Sequence, residues 1–146
     1  MKATFKSLII FILLGFIGCE KGNNYDRLLS TKWIFTGLYH IDTHVTEIKP
    51  PELEEMTIRF KNENLVLARG VCNSMFGNYS ISGQNCIKVS DLIQTMIYCG
   101  NTWEKLYFDL IHDLASYNVY NNSLILKTSC NIDMHFKAEK YAKTKT

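Results

Sequence analysis

A chain of 146 residues is long enough for one domain with a true hydrophobic core and too short for two of ordinary size. Its 16 Lys+Arg face 14 Asp+Glu, and two of the basic residues, Lys2 and Lys6, fall in a leader expected to be removed. The remainder is therefore near neutral, with no electrostatic reason to bind nucleic acid or an anionic membrane surface.

Behind Lys2 and Lys6, the apolar run from Leu8 to Ile17 rises only about 15 Å, half the depth of a hydrocarbon core of about 30 Å. Cationic start and short greasy helix make residues 1–18 a secretory signal peptide rather than a spanning helix. Phe16-Ile17-Gly18-Cys19 resembles a bacterial lipobox, with Phe16 departing from the usual Leu. Cys19 is thus the expected site of lipidation. That places the mature protein on a membrane of a Gram-negative cell envelope, the outer membrane by expectation, with its face undecided. Residues 19–27, polar and centred on Gly22-Asn23-Asn24, read as the lipidated cysteine and a flexible tether.

Strands follow. Trp33-Ile34-Phe35 opens the first, and the Pro- and Glu-containing stretch from His40 to Glu55 reads as a long exposed connection. Thr57–Phe60 and Leu65–Arg69 flank a Lys61–Asn64 turn as a hairpin. Tyr79–Ser82 and Cys86–Val89 flank Gly83-Gln84-Asn85 as a second. Tyr117–Tyr120, Ser123–Lys127 and Ile132–Phe136 form a closing meander through Asn121-Asn122. Between them, Trp103, Leu106, Tyr107, Leu110, Ile111 and Leu114 share one helical stripe. Asn101 stands at its cap, and Glu104 is placed to return a bond to the cap's backbone N–H as in a capping box. Residues 28–138 are the domain, and 139–146, with Lys140, Lys143 and Lys145, a flexible basic tail. The hairpins without βαβ rhythm make the fold α+β and mainly β, an antiparallel sheet curled around one helix.

The phrase Cys72-Asn73, three residues, Gly77, one residue, Tyr79, preceded by Gly70, resembles the signature of the META domain, the family of HslJ-like heat-shock lipoproteins. Thr95 four residues before Cys99, the helix after it, the final meander and the Leu28–Trp33 opening phrase fit in the same order. The resemblance implies a small, incompletely closed antiparallel β-barrel or curved sheet with one packed α-helix. It implies an envelope protein tied to stress tolerance or assembly, without a reaction to carry over. Gly70, Asn73, Gly77, Tyr79 and Thr95 enter as structural residues of the motif, Asn73 tying down a turn and Gly77 letting two strands approach.

With Cys19 lipidated, Cys72, Cys86, Cys99 and Cys130 remain in a compartment that permits disulfides, and three pairings are open. The family pattern carries Cys72 with Cys99, which leaves Cys86 with Cys130. Each bridge would contribute about 3–4 kcal/mol on the chain-entropy estimate. Extended backbone would place His40, Asp42 and His44 on one side with zinc-type donors, the one metal-like phrase, which polar residues on a solvent-facing strand explain equally well. Glu52, Glu54 and Glu55 read as loop solubility rather than an acid–base pair, and neither a phosphate-binding loop nor a Gly-x-Ser-x-Gly elbow is present. The expectation is therefore a protein that is not an enzyme and uses no cofactor. Its partners are the membrane, through its lipid, and an envelope protein or surface component. The alternative is a carrier holding a lipid or small apolar ligand between sheet and helix.

Overall fold

The computed structural model describes residues 21–139, with side chains from Asn24 onward. The signal peptide, Cys19 and the tail beyond Glu139 lie outside the described residues. The elements run α1 (Lys21–Ser30), β1 (Trp33–His40), β2 (Val45–Ile48), β3 (Thr57–Phe60), β4 (Leu65–Arg69), β5 (Ser74–Ser82), β6 (Cys86–Gln94), α2 (Thr102–His112), β7 (Leu114–Tyr120), β8 (Ser123–Thr128) and β9 (Ile132–Ala138).

The strands pair in the order β2-β1-β3-β4-β5-β6-β7-β8-β9, and β1 also pairs with β9. Along one edge β1 meets β9 from Trp33↔Ala138 to His40↔Ile132. Its other edge is divided, with β3 at Trp33 and Ile34 and β2 at Gly37 to His40. Eight antiparallel strands, β1 and β3–β9, therefore close into a complete barrel, and β2 stands beside it. This corrects the expectation of an incompletely closed barrel with one helix. The closing bonds join residues about a hundred positions apart in sequence, a pairing that no local alternation reports. β1 serves three neighbours in part because position 37 is glycine: a Cβ there would collide with the Glu47 carbonyl oxygen across the β1–β2 pair.

Each expected hairpin forms. β3 and β4 register from Thr57↔Arg69 to Phe60↔Val66, and Gly83 takes a φ of +59° in the β5–β6 turn. β2 was missed inside the connection from His40 to Glu55. The seam between β6 and β7 is thin, its register holding only Cys86↔Ser116, and α2 packs beside β6. The core is aromatic: Phe35 lies 5.1 Å from Tyr107, 5.4 Å from Phe136 and 6.2 Å from Trp103, ring to ring. Tyr107 donates its buried hydroxyl to the Thr57 carbonyl at 2.8 Å.

α2 ends one residue before Asp113, whose N–H returns to the Leu110 carbonyl, so Leu114 opens β7 instead of extending the helical stripe. The second helix, α1, occupies much of the segment expected as tether. Its sequence is poor in apolar residues, but Leu28 is fully buried and its carbonyl accepts the Trp33 indole N–H at 3.2 Å. Tyr25 sits beside Tyr79 and Tyr117. Tertiary contact thus overrides weak local propensity. At the other end of the chain Glu139 is still part of the fold: its N–H donates to the Lys32 carbonyl at 2.9 Å, and its carboxylate meets the Lys32 ammonium.

Candidate functional site: a stapled apolar loop

The turn between β4 and β5, Gly70 to Asn73, lies at the end of the barrel opposite the β3–β4 turn. There the Gly70 N–H donates to the Asn73 carbonyl at 2.8 Å. Into this turn α2 sends Glu104, 4% exposed. Oε2 accepts the N–H groups of Cys72 at 2.6 Å and Asn73 at 3.0 Å, and Oε1 accepts the Asn73 amide at 2.7 Å. Gly70 makes room for the approach, since a Cβ there would fall 2.8 Å from the Glu104 Cδ.

Asn73 reaches the other way as well. Its amide donates to the Ile97 carbonyl at 2.8 Å, while its Oδ1 accepts the Ile97 N–H at 2.7 Å and the Thr95 hydroxyl at 3.0 Å. Thr95 Oγ1 in turn accepts the Ser74 N–H at 3.0 Å. Cys72 and Cys99 are bonded as a disulfide with their Cα atoms 6.4 Å apart. These four hydrogen bonds and the disulfide therefore hold the segment from Gln94 to Gly100 to the barrel. Gly77 and Tyr79 serve the same strand: a Cβ at Gly77 would lie 2.7 Å from both Leu92 Cδ2 and the Ser90 carbonyl, and the Tyr79 hydroxyl donates to the Lys61 carbonyl at 2.9 Å.

Burial pushes the Glu104 carboxyl upward, but the Asn73 amide and the N–H groups of Asn73, Cys72 and Val71 together outweigh it and hold the group below the ordinary carboxylate range. Glu104 is thus an acceptor ionised at neutral pH, engaged on both oxygens. It is also the residue that sequence reasoning misassigned. The Asn101 cap forms, with its Oδ1 accepting the Glu104 N–H at 3.0 Å, but the Glu104 side chain turns to the barrel instead of to the cap. The available signal was position: Glu104 falls on the same face as Tyr107, Phe108 and Ile111, and a carboxylate on an apolar stripe needs buried donors.

What these attachments present is apolar. Met96 is 89% and Tyr98 96% exposed, with Ile93 and Ile97 also open to solvent. Beneath them lies a cleft of about 440 Å³ between the loop and the start of α2, lined by Asn73, Thr95, Met96, Tyr98, Asn101 and Lys105 among others.

The other candidates do not come together. His40 Nε2 faces Glu47 Oε1 at 3.0 Å, Asp42 accepts from Asn131 at 3.1 Å, and His44, with a φ of 55° in a turn, meets the Tyr39 hydroxyl at 2.9 Å. The extended backbone that would align the three breaks at the β1–β2 turn. Cys72, Cys99 and Glu104 place donor atoms within 4.8 Å of one another, but the two sulfurs are bonded to each other and offer no thiolate. The second bridge is also corrected: Cys86 and Cys130 are free and exposed. Cys86 opens β6 opposite Ser116 of β7, which pairs with Lys127 of β8, so Cys130 lies beyond a second strand. Two strand spacings alone are about 10 Å, past the reach of a disulfide.

The META domain family matches residues 27–141. Among solved structures, a protein from Burkholderia xenovorans superposes with a TM-score of 0.64 at 14% identity, covering 77% of this chain and 84% of that one. A DUF4847 family protein from Bacteroides vulgatus ATCC 8482 gives 0.59 at 13% identity, with 77% and 94% covered. At such identities the likeness is one of fold. No curated protein matches the sequence. With a family match spanning most of its length, the chain belongs to the META domain family.

Proposed function

We propose that this protein is a non-catalytic component of a Gram-negative cell envelope, lipid-anchored at Cys19, that acts by binding an envelope protein or surface component in stress tolerance or assembly. The observation that carries the reading is the contrast at the stapled loop. Glu104, Asn73 and Thr95, polar groups that could serve chemistry, are engaged in holding up a segment whose large side chains, Met96, Ile97 and Tyr98, face solvent. Exposed apolar groups on a pinned loop favour association, because little conformational entropy remains to be lost on binding.

The test is a photocrosslinking residue at Tyr98 in the exported protein. Discrete envelope adducts that vanish in the Met96→Ser/Ile97→Ser variant support the reading; adducts with abundant porin-like proteins alone sink it. Fatty-acid labelling tests the anchor, and an unlabelled protein removes that part.

The cleft beneath the loop favours a second reading, a carrier of a lipid or small apolar ligand. Phe35, Trp103, Tyr107 and Phe136 fill the space between sheet and helix, so such a ligand would lie in the cleft instead. Native mass spectrometry with acyl chains separates the two, since failure to take any up ends the carrier reading.

A further inference from the structure

The exposed apolar surface extends beyond the loop onto the barrel wall. Cross-strand register places Arg59, Leu67, Phe76 and Ile93 in one row over β3, β4, β5 and β6. All four are exposed, so they share the outer face, and at strand spacing the row spans about 14 Å. The adjoining row runs Thr57, Arg69 and Ser74, and a groove of about 180 Å³ lies between Arg59, Leu67, Arg69 and Phe76.

Among the described residues neither guanidinium makes an ion pair or a side-chain hydrogen bond. No acidic residue stands in either row. The acidic residue within strands β3–β6, Asp91, belongs to the β6 bulge and is engaged by the Asn78 amide and the Ser90 hydroxyl. Two unpaired arginines beside Leu67 and an aromatic ring give these two rows the composition of a protein interface core, aromatic and Arg without Lys or carboxylate. The surface is shallow, with Phe76 46% exposed, which suits a folded or extended polypeptide better than an engulfed acyl chain.

We infer that this face docks an acidic-rimmed apolar polypeptide segment whose apolar side chains lie on Leu67, Phe76 and Ile93 and whose carboxylates are gripped by Arg59 and Arg69. The planar guanidinium fork matches a carboxylate in two-point contact, and its weak hydration makes it the cheaper cation to cover. The inference rests on the binding reading above and names the chemistry of its partner.

The experiment titrates isotope-labelled exported protein with two short peptides sharing the same Leu and Phe positions, one interspersed with Glu and the other with Lys. The Glu peptide is expected to shift the amides of Leu67, Arg69, Phe76 and Ile93 and to bind roughly tenfold tighter than the Lys peptide. In Arg59→Glu/Arg69→Glu the order reverses, with an amide spectrum dispersed as in the wild type showing that the variant is folded. Equal affinities mapping to this row overturn the acidic partner while leaving the binding reading intact. Shifts elsewhere, or none, overturn the docking face, and the Tyr98 crosslink judges the parent reading independently. Sedimentation with phosphatidylglycerol vesicles that depends on Arg59 and Arg69, without peptide preference, assigns the face to lipid headgroups and also overturns the inference.

Discussion

Asn73 takes both oxygens of a buried carboxylate: its amide donates to Glu104 Oε1 at 2.7 Å and its backbone N–H to Oε2 at 3.0 Å. Replacing Glu104 with Gln turns an NH2 donor toward donors and leaves buried N–H groups without a partner. Glu104→Gln is expected to cost about 2–3 kcal/mol, read from denaturant unfolding.

The same pair sets an acid limit. The folded Glu104 carboxyl lies below its ordinary value of 4.5, so its contribution is complete above that value and is lost as pH falls through the lower folded one. Wild type is expected to lose stability below about pH 4.5 more steeply than Glu104→Gln, measured as melting temperature against pH. Parallel curves would remove Glu104 as the source.

Alkylation of the native protein without reductant is expected to label Cys86 and Cys130, with Cys72 and Cys99 labelled only after reduction. Peptide mass spectrometry reads this directly. Cys99→Ser opens a loop of 27 residues and should cost about 3–4 kcal/mol on the chain-entropy estimate.

Two glycines should respond differently to alanine. Gly77→Ala would force a Cβ to 2.7 Å from Leu92 Cδ2 and the Ser90 carbonyl, moving two strands, at a cost of about 2–3 kcal/mol. Gly83→Ala meets nothing within 4 Å but stands at a φ of +59°, so its cost is confined to backbone strain of about 1 kcal/mol. Equal melting temperatures for the two variants would contradict the close β5–β6 approach.

Tyr98→Ser and Met96→Ser should change stability by less than about 0.5 kcal/mol, because these side chains are already in water. Binding should fall instead. A large loss of stability in either variant would mean that the loop packs rather than presents.

Local structure was legible where its cause is local. Asn101 caps α2 through its own side chain, Gly83 turns a hairpin through its own φ, and strict alternation in β4 separates Val66 and Ala68 from solvent, whereas β5 was legible only from Tyr79 onward. The family phrase from Gly70 to Tyr79 located the turn, and Thr95 and Cys99 the loop that it holds. Glu104 was not legible as their link, because a capping box and a buried clamp place the same residue at the same helical position. Nor was α1, whose stability comes from Leu28 and Tyr25 meeting residues of other elements.

The sequence by itself determined at least part of each barrel strand, the hairpins, the amphipathic helix and the family, and through the family resemblance the partnership of Cys72 with Cys99, but not β2. Tertiary structure decided that the sheet closes, that Cys86 and Cys130 stay apart, that His40, Asp42 and His44 diverge, and that Arg59, Leu67, Phe76 and Ile93 form one surface. Periodicity, capping and turn chemistry act over a few residues and leave their mark in the local sequence. Closure of β1 on β9, and the row across four strands, depend on register between segments far apart in the chain, which only the packed barrel fixes.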